Sequence, residues 1–260
     1  MTPEALAARE WALHCSRVSG HGHLPSSFSV IELVLATYGV MRHDPGAPHW
    51  PERDLFVLSK GHAALGYYCA LAQLGYFPPE AVEQFGRHHS TFGCHPDRTK
   101  VPGAEVSCGS LGHGIGVATG MALAQQIAKT NRRVFVLIGD GESNEGSVWE
   151  ALLVAVDRKL SNLTILYDYN RSQSRCLQMT NPADRFRGFG ATVFDVDGHD
   201  EAAIRDALLA PTDTVKVVVG HTTKGYGCRT LEQDFFSWHR QSPTAETLPT
   251  LMAELHAQTV

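Results

Sequence analysis

Five short apolar runs, alternating with segments of helical character, constrain the fold of this 260-residue chain more than any other feature. The run at 133–138 is followed by apolar residues at helical spacing over 147–160 and then by a second run at 163–167. Such a strand–helix–strand unit requires parallel pairing and a right-handed crossover. Runs that are apolar throughout indicate strands buried on both faces. The pattern therefore predicts an α/β fold, a mostly parallel sheet with helices on both faces. The five runs are 55–58, 133–138, 163–167, 191–196 and 215–220.

The helical segments and the lack of linkers indicate one domain spanning 1–260. No internal repeat or low-complexity segment interrupts the chain. We expect the segment after Trp238 to form one amphipathic helix that serves as a docking element. The stretch 85–109, rich in Gly, Pro and His, shows little periodicity, and a loop of that length is usually functional or a misread element. Besides 147–160, the predicted helices are 29–38, 63–74 and 200–209.

Composition excludes several classes of function. A net charge of −5 without a basic stripe argues against nucleic acid as a partner. No run of about 18 apolar residues is present, so we expect no membrane span. The N-terminus lacks the pattern of a signal peptide, and the six cysteines include no Cys-x-x-Cys pair. A reduced, cytoplasmic setting is therefore expected.

Polar residues follow two of the predicted strands at the point where each ends. Gly139-Asp140-Gly141 follows the run 133–138, and Asn170 closes the strand that begins at 163. In a parallel sheet both points lie at the carboxyl edge, where open α/β folds bind ligands. A carboxylate and an amide oxygen suit Mg²⁺ that holds a diphosphate, and the amides at the start of the next helix favour phosphate.

These residues carry a resemblance to a known family. Residues 139–146 (Gly-Asp-Gly-Glu-Ser-Asn-Glu-Gly), with Trp149-Glu150-Ala151 and Asn170 downstream, resemble the thiamine diphosphate motif of transketolases. Further segments resemble other motifs of that family and occur in its order. They are 59–63 (Ser-Lys-Gly-His-Ala), 95–97 (His-Pro-Asp), 102–106 (Pro-Gly-Ala-Glu-Val) and 108–114 (Cys-Gly-Ser-Leu-Gly-His-Gly).

The resemblance implies a cofactor and its ligands. It implies that the chain is the N-terminal, diphosphate-binding (PP-domain) subunit of a split transketolase. The implied cofactors are thiamine diphosphate and Mg²⁺, and Ca²⁺ or Mn²⁺ are possible substitutes for Mg²⁺. The implied metal ligands are Asp140, the Asn170 side chain and the Ser172 carbonyl. Glu145 is expected at a subunit interface that links two active sites, or else at a solvated helix start. The implied cofactor-binding residues are His62, Gly109, Leu111, Asp140, Gly141, Glu145, Asn170 and Lys224.

Histidines are the implied catalytic groups, because sugar chemistry needs side chains that titrate near neutrality. His95 and His239 match family positions that serve the substrate and the reaction centre. A third position falls within His21-Gly22-His23: His21 has the family's preceding residues, whereas His23 has the right spacing to the following helix. Both histidines therefore stay candidates, with spacing favouring His23. A helix-terminal histidine without a ligand is the alternative for His62.

The implied activity is transfer of a two-carbon ketol unit from a ketose to an aldose, on sugars or sugar phosphates. It needs a pyrimidine-binding domain, expected on a C-terminal partner subunit in an α2β2 assembly unless the chain is a truncated form. The alternatives are a subunit of another thiamine diphosphate enzyme, of the 2-oxo acid dehydrogenase or deoxyxylulose-phosphate synthase type, and a non-catalytic regulatory homologue. Residues 24–26 and 171–175 depart from common transketolases near the expected pocket and leave the sugar open.

Overall fold

A five-stranded, wholly parallel sheet forms the centre of the computed structural model, which describes residues 1–175 and 177–257. The strand order is β1-β2-β3-β5-β4. Each strand lies within two residues of a run predicted from the sequence, so the predicted sheet is confirmed. The strands are β1 (Leu55–Leu58), β2 (Val134–Gly139), β3 (Leu163–Tyr169), β4 (Thr192–Asp197) and β5 (Lys216–His221).

Helices cover both faces of this sheet. The helices predicted at 29–38, 63–74, 147–160 and 200–209 correspond to α3, α4, α6 and α8. The helices of the described residues are α1 (Pro3–Ser19), α2 (Leu24–Phe28), α3 (Ile31–Tyr38), α4 (Ala64–Gln73), α5 (His113–Ile127), α6 (Gly146–Asp157), α7 (Pro182–Gly188), α8 (Glu201–Leu209), α9 (Arg229–Gln233) and α10 (Leu248–Ala257).

The side chains of each strand alternate between two hydrophobic layers. On β2, Phe135 and Leu137 pack into the layer that contains α1, α3, α4 and α8. Val134, Val136 and Ile138 point the other way, into the layer formed with α5, α6 and α7. Because successive residues of a strand face opposite sides, a fully apolar strand can serve both layers. The prediction of helices on both faces is therefore confirmed.

Helix α5 was not predicted from the sequence because glycine disfavours helix interiors by about 1 kcal/mol relative to alanine, and α5 has several. Tertiary packing explains one of them. A Cβ on Gly114 would come within 2.5 Å of the Ser59 Oγ atom, so this helix can approach the end of β1 only with glycine at that point.

The C-terminal segment differs from the single helix expected after Trp238. Residues Ser237–His239 form a 3-10 turn, and α10 begins only at Leu248. Leu251 and Leu255 of α10 are fully buried in the layer that contains α1. This apolar face is thus used within the chain, and a docking role stays a prediction.

Within the described ranges, no helix is long and apolar enough to cross a membrane.

Candidate active site

A cavity of about 340 Å³ opens at the carboxyl edge of the sheet, where β1, β2 and β3 end. The loops after β1 and β2 meet there with the 3-10 helix Ser172–Arg175 and the segment around Phe236. The cavity therefore lies where the sequence placed a ligand site. Seven residues predicted from the sequence line it: His62, Leu111, Asp140, Gly141, Ser172, Lys224 and His239.

Asp140 is the residue of this cavity with the clearest unmet requirement. It is 1% exposed, and its Oδ1 atom accepts a hydrogen bond from the Gly141 amide at 2.6 Å. Its Oδ2 atom is buried and has no partner among the described residues. Burial, followed by the nearby charge of Asp168, raises the pKa of Asp140 to about 6. An unpaired buried carboxylate oxygen is costly, and a bound cation would remove that cost.

Asn170 is fixed behind the cavity by a buried polar network. Its amide nitrogen donates to Ser29 Oγ at 3.0 Å and to Asp168 Oδ2 at 2.9 Å. Its Oδ1 atom accepts from the Ser172 amide at 2.9 Å. Arg171, between the two, has a left-handed backbone with φ 60°, which turns the chain back on itself. Asn170 lines a neighbouring cavity, and its Oδ1 atom faces the turn that contains Ser172.

Asp168 and Lys60 form an ion pair beneath this turn. The Lys60 ammonium donates to Asp168 and to the Ser26 carbonyl, the latter at 3.0 Å. The Thr222 hydroxyl also donates to Asp168, which is fully buried. Burial of an ion pair is tolerated when hydrogen bonds satisfy both partners, as they do here. Lys60 lines the cavity, so its positive charge is close to any ligand held there.

Glu142 ties three loops of the site together. Its Oε1 atom accepts from the Ser59 hydroxyl and from the Gly112 amide, the latter at 2.9 Å. Its Oε2 atom accepts from the Gly139 amide at 3.1 Å. Burial raises the pKa of Glu142. With both oxygens satisfied inside the protein, Glu142 orders the site, in contrast to Asp140.

Three imidazoles converge on one side of the cavity. The ring centroid of His23 lies 4.7 Å from that of His62 and 4.9 Å from that of His239. Burial, followed by the charge of neighbouring groups, lowers the pKa of each of the three to about 4, so all are neutral at pH 7. The Nδ1 atom of His239 is buried without a partner among the residues that the structure describes. A neutral imidazole has one nitrogen that donates and one that accepts, so these rings can form hydrogen bonds of both kinds with a bound molecule.

The structure places the two N-terminal histidines differently, and which of them faces the substrate stays a prediction. His23 belongs to this cluster, whereas His21 is exposed and packs against the turn at Gly86. His95 extends the cluster, with its centroid 5.7 Å from that of His62. The position of His95 requires glycine at position 61, where a Cβ would come within 2.5 Å of the His95 ring.

His21, His23, His95 and Asn170 do not line this cavity, and neither do two further predicted residues, Gly109 and Glu145. Gly109 packs against the His95 ring and lines a separate surface cavity next to α5. Glu145 is exposed and packs over Gly112 at the start of α6. Neither residue is placed in contact with the ligand space of the main cavity, and their roles stay predictions.

Lys224 brings a second ammonium group to the cavity. It is 5% exposed, and its Nζ atom donates to Ser172 Oγ at 2.5 Å. Burial, followed by the charge of Lys60, lowers the pKa of Lys224 to about 8. Two lysines and a group of neutral histidines make this side of the cavity suited to a multiply charged anion.

The cavity offers two possible metal positions, of which one fits. His23, His62 and His239 each place a nitrogen within 4.8 Å of the others. All three ligands would be neutral imidazoles, and the positive charges of Lys60 and Lys224 nearby oppose a dication that is held without a carboxylate. Asp140 instead offers a free hard oxygen, which is the kind of ligand that Mg²⁺ prefers.

The sequence interpretation missed Asp168, Lys60 and Glu142 as site residues. Asp168 and Lys60 lie inside recognised segments, Asp-Tyr-Asn and Ser-Lys-Gly-His, so their position was a usable signal. Glu142 likewise lies inside the recognised segment 139–146, but the part it plays became visible only from its contacts with Ser59 and Gly112, which are distant in sequence.

Comparisons with known proteins identify the family. The family described as "Transketolase, thiamine diphosphate binding domain" matches residues 6–239. The chain is 37% identical over 242 residues to one subunit of the apulose-4-phosphate transketolase of Actinobacillus succinogenes, covering 90% of this chain and 87% of that protein. It is 38% identical over 249 residues to the 6-deoxy-6-sulfo-D-fructose transketolase subunit SqwG of a Clostridium species, covering 92% and 90%.

Solved structures show the same fold. The transketolase of Leishmania mexicana superposes with a TM-score of 0.87 at 28% identity, covering 97% of this chain and 41% of that one. The Campylobacter jejuni transketolase gives a TM-score of 0.85 at 26% identity, covering 97% and 42%. The chain thus spans about two fifths of the length of these solved enzymes, but most of the length of the separate subunits.

Proposed function

The chain belongs to the transketolase family, as a thiamine diphosphate-binding subunit, and from that premise we propose that Asp140 holds the cofactor's diphosphate through Mg²⁺. The observation that carries the proposal is the buried Oδ2 atom of Asp140, which has no partner among the described residues. A magnesium ion there would be bound by Asp140, the Asn170 side chain and the Ser172 carbonyl. Its charge would also favour the ionised form of Asp140, whose pKa burial raises to about 6.

The remaining charge of the diphosphate is balanced by the protein. Lys224 and His62 line the same cavity as Asp140, and so does Gly141, whose amide holds the Asp140 carboxylate in place. Lys60 adds positive charge from beneath, although its ammonium is already paired with Asp168. We expect these groups to fix the diphosphate, while Leu111 supports the organic part of the cofactor.

The histidines serve the sugar. When bound, thiamine diphosphate supplies the carbanion that adds to a ketose carbonyl. The neutral rings of His23, His95 and His239 can hold sugar hydroxyls and accept a proton from one of them. The negative charge of a bound diphosphate would raise their pKa values from about 4 for His23 and His239 toward neutrality, where proton transfer is most effective.

A second polypeptide completes the active site in this proposal. Relatives that this chain covers almost fully are named as transketolase subunits, which supports a separate partner. We infer that the partner carries the pyrimidine-binding domain, that the assembly is α2β2 and that it acts in the cytoplasm. The substrates are a ketose donor and an aldose acceptor, with an anionic group held mainly by the partner.

Reconstitution tests this function. The purified chain, with thiamine diphosphate, Mg²⁺, a ketose phosphate and an aldose phosphate, should transfer no two-carbon unit alone and should do so with its pyrimidine-binding partner. Robust transfer by the chain alone would refute the split active site. A reconstituted pair that binds no thiamine diphosphate would favour a regulatory homologue, and preference for pyruvate as donor would favour the synthase type.

A further inference from the structure

We propose that His199 is a positioning residue that directs the Lys224 ammonium into the cofactor cavity by holding the backbone at Thr223. The inference rests on the proposed function only in naming the ligand that Lys224 meets. His199 follows β4 and lies outside the cavity that contains Asp140. It lines the neighbouring cavity, which shares Lys224 with the first. His199 thus acts through the chain and not through contact with the ligand.

The contacts of His199 select one form of its ring. The Thr223 amide donates to Nε2 at 2.8 Å, so Nε2 carries no proton. The proton of the neutral ring is therefore on Nδ1, which lies 3.1 Å from Glu32 Oε2 and donates to it. The side chain is 8% exposed, and the ring stacks on Tyr226 with centroids 3.5 Å apart. His199 is consequently fixed in tautomer and in orientation.

The base of this arrangement is a buried ion pair. Arg9 donates to both carboxylate oxygens of Glu32, at 2.7 and 2.8 Å, and both side chains are buried. Burial alone would raise the pKa of Glu32, but Arg9 and His199 lower it to about 2. Arg9 also donates to the Tyr226 carbonyl at 3.1 Å. Glu32 therefore stays ionised and keeps its hydrogen bond from His199.

Three hydrogen bonds hold the chain on either side of Lys224. The Thr222 hydroxyl donates to Asp168, the Thr223 amide donates to His199, and the Gly225 amide donates to the Pro25 carbonyl at 3.0 Å. Lys224 lies between these points, with Nζ donating to Ser172 Oγ. Among these three contacts, only the one with His199 involves an imidazole, and His199 lies outside the cofactor cavity. Its loss should turn the Lys224 side chain away from the cavity without removing any ligand contact directly.

Two conservative substitutions separate this role from simple support of Glu32. In His199→Asn, the amide nitrogen stands near the former Nδ1 and can donate to Glu32, but no atom reaches the Thr223 amide. In His199→Gln, the amide oxygen can reach the former Nε2 position and accept from Thr223. A positioning role predicts harm from Asn and rescue by Gln, whereas a role limited to Glu32 predicts the reverse.

Calorimetric titration of the full chain with thiamine diphosphate and Mg²⁺ measures the effect. We expect His199→Asn to weaken binding about fivefold, the worth of one net hydrogen bond, and His199→Gln to stay within about twofold of the wild type. In a Lys224→Met background, His199→Asn should add no further loss. The matched control is His221→Asn, since His221 also pairs with an acidic residue, Asp195, and should leave affinity unchanged. Equal effects of Asn and Gln, or additive losses with Lys224→Met, would overturn the proposal.

A second readout needs no cofactor. Hydrogen exchange of the Thr223 amide should accelerate in His199→Asn and remain slow in His199→Gln, and the nitrogen resonance of the Lys224 ammonium should shift only in the Asn variant. Unchanged exchange at Thr223 in His199→Asn would contradict the inference. If the wild type bound no thiamine diphosphate, the proposed function would fail, while the amide and ammonium signals would still decide the role of His199.

Discussion

Two aspartates at opposite ends of the sheet, Asp54 just before β1 and Asp140 just after β2, are each 1% exposed and are used in opposite ways. Asp54 accepts hydrogen bonds from the backbone and guanidinium groups of Arg42 and Arg133, at distances from 2.8 to 3.3 Å. Burial alone would raise the pKa of Asp54, but these bonds lower it. Asp140 has one short backbone contact and an unpartnered oxygen within the described part of the chain.

The difference assigns the two edges of the sheet to different tasks. At the amino edge, the buried charge is satisfied by the chain itself and holds β1, β2 and the loop before β1 together. At the carboxyl edge, the Asp140 Oδ2 atom has no partner among the described residues, and in our proposal a ligand satisfies it, at a cost in stability. Unmet polar groups inside a folded protein are rare and typically mark functional sites, where local stability is given up for function.

The largest effect should come from removing the satisfied charge. Asp54→Ala leaves the guanidinium groups of Arg42 and Arg133 and two backbone amides without their acceptor, so we expect a loss of about 3 kcal/mol in the free energy of unfolding. Urea denaturation measures it. Affinity of the folded variant for thiamine diphosphate should not change. A loss below about 0.5 kcal/mol would contradict the structural role assigned to Asp54.

Removing the unsatisfied charge should have the opposite sign. Asp140→Asn relieves a buried carboxylate whose pKa is raised, so we expect the cofactor-free chain to gain on the order of 1 kcal/mol at pH 7. The same urea experiment measures it. Asp157→Asn is the control, because Asp157 is on the surface with its side chain 74% exposed and should change stability little. Destabilisation by Asp140→Asn would show that the carboxylate is satisfied inside the protein.

The dependence on pH should separate the two aspartates further. The folded-state pKa of Asp140 is about 6, raised from an ordinary 3.8, so ionisation costs stability as pH rises through that interval. The advantage of Asp140→Asn should therefore be absent near pH 4 and complete above about pH 7. The pKa of Asp54 is lowered, so its contribution is present above about 3.8 and lost only at lower pH.

Measured between pH 4.5 and 7.5, the deficit of Asp54→Ala should consequently be flat, whereas the advantage of Asp140→Asn should grow. Titration of the histidines cancels, because each variant is compared with the wild type at the same pH. Parallel curves for the two variants would remove the distinction between the two edges of the sheet.

The smallest effect concerns backbone strain at the carboxyl edge. Arg171 has φ 60°, and Lys159, in the turn after α6, has φ 49°. Glycine at either position should raise stability by about 0.5 kcal/mol, because it adopts left-handed backbone without penalty. Thermal denaturation measures both. Only Arg171→Gly should also weaken cofactor binding, because it loosens the turn between Asn170 and Ser172; equal affinity in the two variants would argue against that turn as part of the site.

Much of the fold and the central part of the site followed from local sequence. The five strands are apolar runs with clear ends, and Asp140 and Asn170 follow two of them, so their meeting at one edge required only parallel pairing. Helix α5 did not follow, since its glycines are explained by contact with Ser59 and not by helix propensity. The choice between His21 and His23 likewise depended on which ring meets His62 in three dimensions.

Residues whose role depends on distant partners were beyond sequence reasoning. Glu142 lies in a recognised motif, but its hydrogen bonds to Ser59 and Gly112 are visible only in three dimensions. The role of His199 likewise depends on its contacts with Glu32 and Thr223. In each case the sequence shows a polar residue beside a turn, which is the commonest place for one. Tertiary contact alone distinguishes the satisfied group from the available one.

The central claim is that Asp140 is kept unsatisfied in order to bind Mg²⁺ and, through it, the diphosphate of thiamine diphosphate. Isothermal titration of the chain with thiamine diphosphate, with and without Mg²⁺, compared between wild type and Asp140→Asn, tests it most directly. We expect binding by the wild type that requires Mg²⁺, and a loss of about a hundredfold or more in the variant, as for removal of a charged ligand of a buried ion. Equal binding by the two proteins, or binding that ignores Mg²⁺, would contradict it.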